Sequence, residues 1–281
     1  MARHCTFGVG GPADYFVEVS RVERIAEIVE RAAGSGVPVV ILGAGTNLLV
    51  SDQGIEGLVV RCNDRSWRVD GERLRAASGL KMIRLARIAA DHGLSGLEFG
   101  IGIPGSVGGA VYQNAGCFES EVVDLLVEVG LFQPRLGWSQ VEPRVLDLGY
   151  RSSALRSGRL GQAVVGWAEF QLRAAEAGEI RRKMAQMVAW RRRSQPLKAK
   201  SAGSIFKNPP SESAGRLIEA CGLKGHSVGG AQVSLEHANF IVNHAGASAQ
   251  DVWHLVTEVQ AQVQLRSGLE LEPEIQRVGR W

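Results

Sequence analysis

The chain of 281 residues, with 45% hydrophobic and 22% charged residues, is long enough for two globular domains that each bury a substantial core. Its net charge of +3 is too small to indicate a nucleic-acid or membrane partner, and neither a signal peptide nor an apolar run of about 18 residues is present, so we expect a cytoplasmic protein. The four cysteines form no C-x-x-C pair, which argues against a zinc knuckle or a redox dithiol, and we expect no metal site.

The first predicted elements are a helix and the strand that follows it. Ser20 and Glu23 have the spacing of a capping box, apolar residues then recur at helical spacing, and Gly34 and Gly36 end the helix. The apolar segment VPVVILG predicts a short strand. It leads directly into GAGTNLLVSD at residues 43–52, so a glycine-rich loop lies at the carboxyl end of a strand.

The middle of the chain combines strands with a second glycine-rich stretch. GLVVRC predicts a strand, WRVDGERLRAASG a small hairpin, and residues 81–92 an amphipathic helix that ends at Gly93. The following LSGLEFGIGIPGSVGGAVYQNAG is too rich in glycine to be a regular helix or strand throughout. Strands are predicted again near residues 123–132 and 163–173, with the turn-like DLGYRSSALRSG between them.

The last third of the chain begins with a long basic helix, residues 178–193, and Pro196 marks a boundary after it. Further helices are predicted at residues 215–221 and 249–266. The strand-like HANFIVN lies between them, and LELEPEIQRVG is predicted to be a final strand.

The two glycine-rich stretches form the first candidate binding site. Small residues at 43–46 allow backbone N–H groups to face a concavity that suits a pyrophosphate, and IGIPGSVGGAVYQNAG is a second loop of this kind. The first loop is not a G-x-G-x-x-G motif, which disfavours a nicotinamide-type Rossmann domain. We expect one elongated dinucleotide, held at both ends by Gly43, Ala44, Gly45, Thr46, Asn47, Leu48, Gly105, Ser106, Gly108, Gly109, Asn114 and Gly116.

Eight segments, taken in chain order, resemble the successive motifs of the MurB family, the UDP-N-acetylenolpyruvoylglucosamine reductases of peptidoglycan synthesis. They are TFGVGGPADYF, LGAGTNLLVSD, GLSGLEFGIGIPGSVGGAVYQNAG, LGYRSSAL, SAGSIFKNPP, SAGRLIEACGLKG, GGAQVSLEHANFIVN and LEPEIQRVG. The resemblance covers essentially the whole chain. The short path from Tyr150 to Ser204 resembles the compact second type of the family, which lacks an extra substrate-covering tyrosine loop.

This resemblance implies an α+β protein, with an FAD-binding fold of the vanillyl-alcohol-oxidase (PCMH) type and a smaller α+β substrate-binding domain. The expected FAD-binding domain spans residues 1–176, in two subdomains of about 1–62 and 63–176. The substrate-binding domain, with a C-terminal catalytic strand, is expected at residues 177–281. The resemblance also implies non-covalent FAD, NADPH as co-substrate and a UDP-sugar substrate, and we expect a monomer.

The implied reaction is hydride transfer to an enolpyruvyl ether and protonation of its α-carbon, which yields UDP-N-acetylmuramate. Arg151 matches the active-site arginine of the family and can hold the substrate carboxylate by charge-assisted hydrogen bonds. Ser204 matches the proton donor, and Glu274 matches the acid that helps to stabilise the enolic intermediate. Glu272 is a competing assignment, because alternation along a strand puts it on the same face as Glu274.

The resemblance also assigns substrate-binding residues. Lys207 and Asn208 resemble the pair that holds the diphosphate, and the others are Tyr150, Gln232, His237 and Asn239. His237 and His244 do not have a recognisable metal-ligand spacing. The chain departs from the family pattern at Gly8 and Glu236, where basic residues are common, but not at the three catalytic positions.

Two other functions stay open at this stage. A flavin oxidase or dehydrogenase of the same fold, acting on a small alcohol or hydroxy acid, would not need the GSIFKNP and HANFIVN segments. A non-catalytic nucleotide-sugar-binding protein is disfavoured because Arg151, Ser204 and Glu274 are all present.

Overall fold

The structure is a computed structural model that describes all of residues 1–281. Its helices are α1 (Val22–Gly34), α2 (Met82–Asp91), α3 (Val107–Tyr112), α4 (Ala177–Ser194), α5 (Ala214–Ala220) and α6 (Ala249–Ser267), with short 3-10 helices at Ala2–His4, Glu98–Gly102, Val122–Asp124 and Pro143–Leu146. Its strands are β1 (Ala13–Val19), β2 (Val39–Leu42), β3 (Leu48–Val50), β4 (Ile55–Cys62), β5 (Trp67–Asp70), β6 (Arg73–Ala77), β7 (Leu94–Ser95), β8 (Gly116–Cys117), β9 (Ser120–Glu121), β10 (Leu126–Gln133), β11 (Gly137–Val141), β12 (Val164–Gln171), β13 (Arg173–Ala174), β14 (Ser227–Val228), β15 (Ala231–Val233), β16 (Ile241–Asn243) and β17 (Gln276–Val278). None of the helices is both long and apolar enough to cross a membrane.

The chain divides into two compact units, each built from segments that are distant in sequence. The central unit contains residues 15–44 and 57–190, and the C-terminal unit contains residues 1–14, 45–56 and 191–281. The expected domain boundary at residue 176 is a functional one, with FAD-binding residues before it and substrate-binding residues after it. It therefore stays a prediction.

In the central unit, α1 packs against a three-stranded sheet with the order β1-β4-β2. Ile25 of the helix lies in one apolar cluster with Val60 of β4, and β2 runs parallel to β4. The predicted helix and strand are confirmed, but the predicted capping box is wrong. The helix begins after Arg21, whose side chain makes no cap, and the Val22 amide donates to the Asp64 carboxylate at 3.1 Å.

The larger sheet of the central unit has the order β11-β10-β12-β6-β5 and is antiparallel throughout. Leu74 of β6 and Phe170 of β12 share an apolar core with Leu85 of α2 and Val107 of α3. The predicted hairpin is confirmed as β5 and β6, the predicted helix before Gly93 as α2, and the two later predicted strands as β10 and β12. This sheet and the loop before α3 share that core.

In the C-terminal unit, α5 and α6 pack with the antiparallel sheet β14-β15-β16. Phe206, Val233 and Leu255 are buried in the core of this unit. The predicted final strand is shorter than expected, since only β17 forms, in parallel register with β3. Pro273 lies just before it and has no N–H to donate to a ladder, which limits regular pairing there.

The hairpin of β8 and β9 has an unfavourable turn, and this leads to a stability prediction. Its turn residues Phe118 and Glu119 have φ of +54° and +59°, although two-residue turns of this left-handed kind favour asparagine and glycine. We expect Glu119→Gly to raise the free energy of unfolding by about 0.5–1 kcal/mol, because relief of the strain exceeds the entropic cost of glycine. Urea denaturation measures this change.

The matched control for that variant is Glu142→Gly, at an exposed residue whose φ of −75° suits any side chain. This variant should be less stable than the native chain, since it has the entropic cost of glycine without any relief of strain. Equal effects in the two variants would show that the β8–β9 turn stores no strain.

Candidate active site

The two predicted cofactor loops lie against each other in the central unit. A Cβ atom placed on Gly43, which follows β2, would overlap the Ser106 hydroxyl, which precedes α3. Ser106 is buried, and its hydroxyl accepts a hydrogen bond from the Gly109 amide at 3.3 Å. The close approach of the loops therefore depends on the absence of a side chain at Gly43.

The second loop is also held tightly to the segment before α2. The Gly108 amide donates to the Ser78 carbonyl at 2.9 Å, and a Cβ on Gly108 would lie 2.8 Å from the Ser78 Cβ. The Gly105 carbonyl accepts from the Met82 amide at 3.0 Å. The structure thus brings the predicted cofactor residues Gly43, Gly105, Ser106 and Gly108 together.

From Gly45 onward, the first loop belongs to the C-terminal unit. Gly45 has φ of +65°, and a Cβ there would overlap the His4 carbonyl. The Asn47 side chain donates to the Glu274 carbonyl at 3.1 Å, and the Gln276 amide donates to the Asn47 carbonyl at 2.9 Å. Predicted cofactor residue Asn47 therefore contacts the segment of predicted catalytic residue Glu274. Ala44, Thr46 and Leu48 are half-buried.

Arg151 lies in a cluster of polar groups in the central unit. Its guanidinium donates to the Glu121 carboxylate at 3.2 Å, to the Asn114 carbonyl at 3.4 Å and to the Gly116 carbonyl. It also lies 5.0 Å from the centre of the Tyr150 ring. The predicted residues Asn114, Gly116, Tyr150 and Arg151 are thus neighbours in the fold.

Asn114 and Glu121 build the frame of this cluster. The fully buried Asn114 donates to the Glu121 carboxylate at 2.8 Å and to the Gly149 carbonyl at 3.0 Å, and it accepts from the Val123 amide at 3.0 Å. Glu121 is not among the residues that the sequence motifs indicate. The only signal in the sequence is an acid close to the second glycine-rich loop, and that signal does not identify Arg151 as its partner.

The Ser204 segment runs between two other segments of the C-terminal unit. Ser204 pairs with Phe240 in an isolated bridge, and the Ile205 amide donates to the Asn239 carbonyl at 2.9 Å. On the other side, the Glu274 amide donates to the Ile205 carbonyl at 2.7 Å. The predicted proton donor and the predicted acid therefore lie on neighbouring segments.

The buried Asn239 side chain fixes this arrangement. Its Oδ1 accepts from the Phe206 amide at 2.9 Å, and its Nδ2 donates to the Phe206 carbonyl, also at 2.9 Å. The amide thus acts like the backbone of a neighbouring strand. Asn239 is a predicted substrate residue, and in the structure its side chain holds the segment that contains Ser204.

The environments of Glu272 and Glu274 differ, although the sequence left their roles open. The Glu272 carboxylate lies 2.7 Å from the Lys207 ammonium, and its side chain is 68% exposed. Glu274 is half-buried, and its backbone is bound on both sides, by Ile205 and by Asn47.

The other predicted substrate residues of the C-terminal unit are partly engaged in the fold. Asn208 accepts from the Ala214 amide at 3.0 Å, and Gln232 donates to the Gly225 carbonyl at 3.2 Å. His237 accepts from the Asn239 amide at 3.2 Å. Burial lowers the pKa of His237, and nearby Lys224 lowers it further, which favours the neutral imidazole.

Comparisons with known proteins cover the whole chain. Residues 195–278 match the model of the UDP-N-acetylenolpyruvoylglucosamine reductase C-terminal domain, and residues 13–135 match that of an FAD-binding domain. The UDP-N-acetylenolpyruvoylglucosamine reductase of Syntrophotalea carbinolica is 40% identical over 99% of this chain and 92% of its own length, and that of Heliobacterium modesticaldum is 41% identical over 99% and 89%. The chain belongs to the UDP-N-acetylenolpyruvoylglucosamine reductase family.

A solved structure supports the same family. The crystal structure of the UDP-N-acetylenolpyruvylglucosamine reductase (MurB) from Thermus caldophilus has a TM-score of 0.84 and 40% sequence identity to this chain, covering 99% of it and 96% of the solved chain. The predicted α+β class, with a PCMH-type FAD-binding fold, is confirmed. The predicted family and its FAD- and NADPH-dependent reductase activity in peptidoglycan synthesis are confirmed as well, and the alternative functions are not favoured.

Proposed function

We propose that Arg151, Ser204 and Glu274 carry out the reduction of UDP-N-acetylenolpyruvoylglucosamine in this chain. The observation that carries the proposal is the pairing of two segments, in which the Glu274 amide donates to the Ile205 carbonyl at 2.7 Å. It supports a site where a hydroxyl proton donor and a carboxyl group are held in one compact unit. We further propose that the enzyme is cytoplasmic and monomeric.

The glycine-rich loops supply the residues that would hold FAD without a covalent bond. A side chain at Gly43 would force its loop away from Ser106, and the closeness of the loops suits a pyrophosphate bound by backbone N–H groups. Gly109 and Asn47 belong to the same two loops. Bound there, FAD would supply hydride transfer from NADPH to the substrate.

Arg151 would hold the substrate carboxylate, where negative charge accumulates after the hydride arrives. Its side chain is only 14% exposed, so its charge is screened less by water than that of a surface arginine. The Ser204 hydroxyl would then donate its proton to the α-carbon, which is basic enough to take it from a weak acid.

We assign the acid that stabilises the enolic intermediate to Glu274 rather than Glu272. Glu272 is exposed and paired with Lys207, whose own side chain is only 15% exposed. A diphosphate has more negative charge than one carboxylate and would compete with Glu272 for Lys207. Asn208, Gln232, His237, Asn239 and Tyr150 complete the proposed substrate site.

The cofactor assignment predicts a yellow protein that NADPH bleaches and the enolpyruvyl substrate recolours. We expect Gly43→Ala to weaken FAD binding by about 10- to 100-fold, because a Cβ there overlaps Ser106 and overpacking of this kind costs about 1–3 kcal/mol. Titration of the apoprotein with FAD, followed by flavin fluorescence, measures the affinity.

The control is Gly34→Ala, at the end of α1 in the same unit, where a Cβ would meet no atom within 4 Å. It should bind FAD with native affinity. Native FAD affinity in Gly43→Ala would contradict the assigned cofactor site, whereas flavin that stays attached to the denatured chain would contradict non-covalent binding.

A further inference from the structure

We propose that Glu121 is a positioning residue that orients the Arg151 guanidinium toward the substrate carboxylate. This inference rests on the function proposed for Arg151 and adds a residue to it. No sequence motif indicates Glu121 as a site residue. Its role follows from its contacts in the fold.

Glu121 links two residues that have unusual backbone conformations. One carboxylate oxygen lies 3.2 Å from the Arg151 guanidinium, and the other accepts from the Asn114 side chain at 2.8 Å. Arg151 has φ of +51° and Asn114 has φ of +47°, values in the left-handed region that asparagine tolerates but arginine does not favour. Strained residues such as Arg151 concentrate at functional sites, where the surrounding structure holds them in place.

The same contacts join the cluster to the turn that carries Arg151. Asn114 donates to the Gly149 carbonyl at 3.0 Å, and Gly149 pairs with Ser152 across that turn. Glu121 therefore contacts the guanidinium directly and contacts the backbone of the turn through Asn114. A change at Glu121 would therefore affect the direction of the guanidinium in two ways, through the direct ion pair and through the position of the turn.

The chemistry of a guanidinium explains why this orientation affects the reaction. Its donors form a rigid planar fork, so a carboxylate bound on one edge determines the directions in which the other N–H groups point. Glu121 is 28% exposed and Arg151 is 14% exposed, which limits screening of this pair by water. The negative charge of Glu121 also compensates the burial of Arg151, which a neutral residue of the same size would not do.

A second ion pair in the central unit provides a matched control. Arg75 and Glu128 lie 2.8 Å apart, with side chains that are 21% and 32% exposed. Glu128 is on β10, and its partner Arg75 is not a proposed catalytic or binding residue. Glu128→Gln thus removes a partly buried carboxylate partner of an arginine without touching Arg151, and Arg75 keeps its second partner Glu169 at 3.1 Å.

The test compares Glu121→Gln with Glu128→Gln in the FAD-loaded enzyme, by calorimetric titration with two ligands. UDP-N-acetylmuramate has the carboxylate that Arg151 would bind, and UDP-N-acetylglucosamine lacks it. We expect Glu121→Gln to weaken UDP-N-acetylmuramate binding by about tenfold, as loss of about 1.4 kcal/mol implies, and to leave UDP-N-acetylglucosamine binding unchanged. Glu128→Gln should bind both ligands as the native enzyme does.

The kinetic measurement follows the flavin in single turnovers. Glu121→Gln should be reduced by NADPH within about twofold of the native rate, while its reoxidation by the enolpyruvyl substrate slows by up to about 10²-fold, as expected for a misplaced catalytic group. In an Arg151→Lys background, Glu121→Gln should add little further loss, because both changes act on the same interaction. If Glu121→Gln does not fold, Glu121→Asp retains the charge and should show an intermediate slowing.

Equal loss of affinity for both ligands in Glu121→Gln, or behaviour identical to Glu128→Gln, would overturn the inference. Full additivity with Arg151→Lys would overturn it as well. Rapid reoxidation in Arg151→Lys alone would instead refute the role proposed for Arg151.

Discussion

In a Ser204→Ala variant, NADPH should reduce the flavin at close to the native rate, whereas reoxidation by the enolpyruvyl substrate should slow by about 10²- to 10⁴-fold. The substitution removes the proposed proton donor but keeps the backbone hydrogen bonds of Ile205 to Asn239 and Glu274. Only the protonation step should therefore be affected. Single-turnover stopped-flow absorbance of the flavin measures the two half-reactions separately.

The control for this prediction is Ser201→Ala, three residues earlier in the same segment and also half-buried. It should behave as the native enzyme in both half-reactions. Ser204→Cys should recover part of the lost rate, because a thiol can also donate a proton. Rapid single-turnover reoxidation in Ser204→Ala would show that another group protonates the product.

The second large effect is expected for Asn239→Leu, which keeps the size of the side chain but removes its polar atoms. The buried Phe206 amide and carbonyl would lose their partners, and each buried unsatisfied group costs about 1–3 kcal/mol. We expect the free energy of unfolding to fall by about 2–5 kcal/mol. Reoxidation of the flavin by substrate should also slow, because the segment that contains Ser204 and Lys207 loses its fixed position. Urea denaturation and stopped-flow absorbance measure the two effects.

Asn243 offers a matched control in the same unit, because its side chain also binds two backbone groups. It donates to the Phe7 carbonyl at 3.0 Å and accepts from the Ala247 amide at 2.8 Å. Asn243→Leu should lower stability and leave the reoxidation rate unchanged. Native stability together with weak substrate binding in Asn239→Leu would mean that Asn239 acts only as a substrate ligand.

Local patterns in the sequence predicted most of the regular elements. The apolar periodicity of residues 22–32 and 81–92 predicted α1 and α2, and the alternation in WRVDGERLRAASG predicted the β5–β6 hairpin. The errors were at the ends of elements. α1 begins at Val22 because of Asp64, a residue more than forty positions away, and no local capping pattern contains that information.

The candidate site shows the same division between local and distant information. Gly43 and Ser106 were recognised as loop residues, but their mutual contact was not, since it depends on the packing of two loops about sixty residues apart. Glu121 was missed for the same reason. An acid in a loop is an ordinary solvated residue until a fold places an arginine beside it.

By itself, the sequence determined which residue types are present in which order: two glycine-rich loops, an arginine in LGYRSSAL, a serine in SAGSIFKNPP and a glutamate in LEPEI. Each motif is a short run of consecutive residues, so it can be recognised without the fold. Together the motifs were sufficient to identify the family. Only the tertiary structure decided which partners those residues have, such as Glu121 for Arg151 and Asn239 for the backbone of Phe206. The physical reason is that hydrogen bonds and ion pairs act over about 3–4 Å in space, whatever the separation of the groups along the chain.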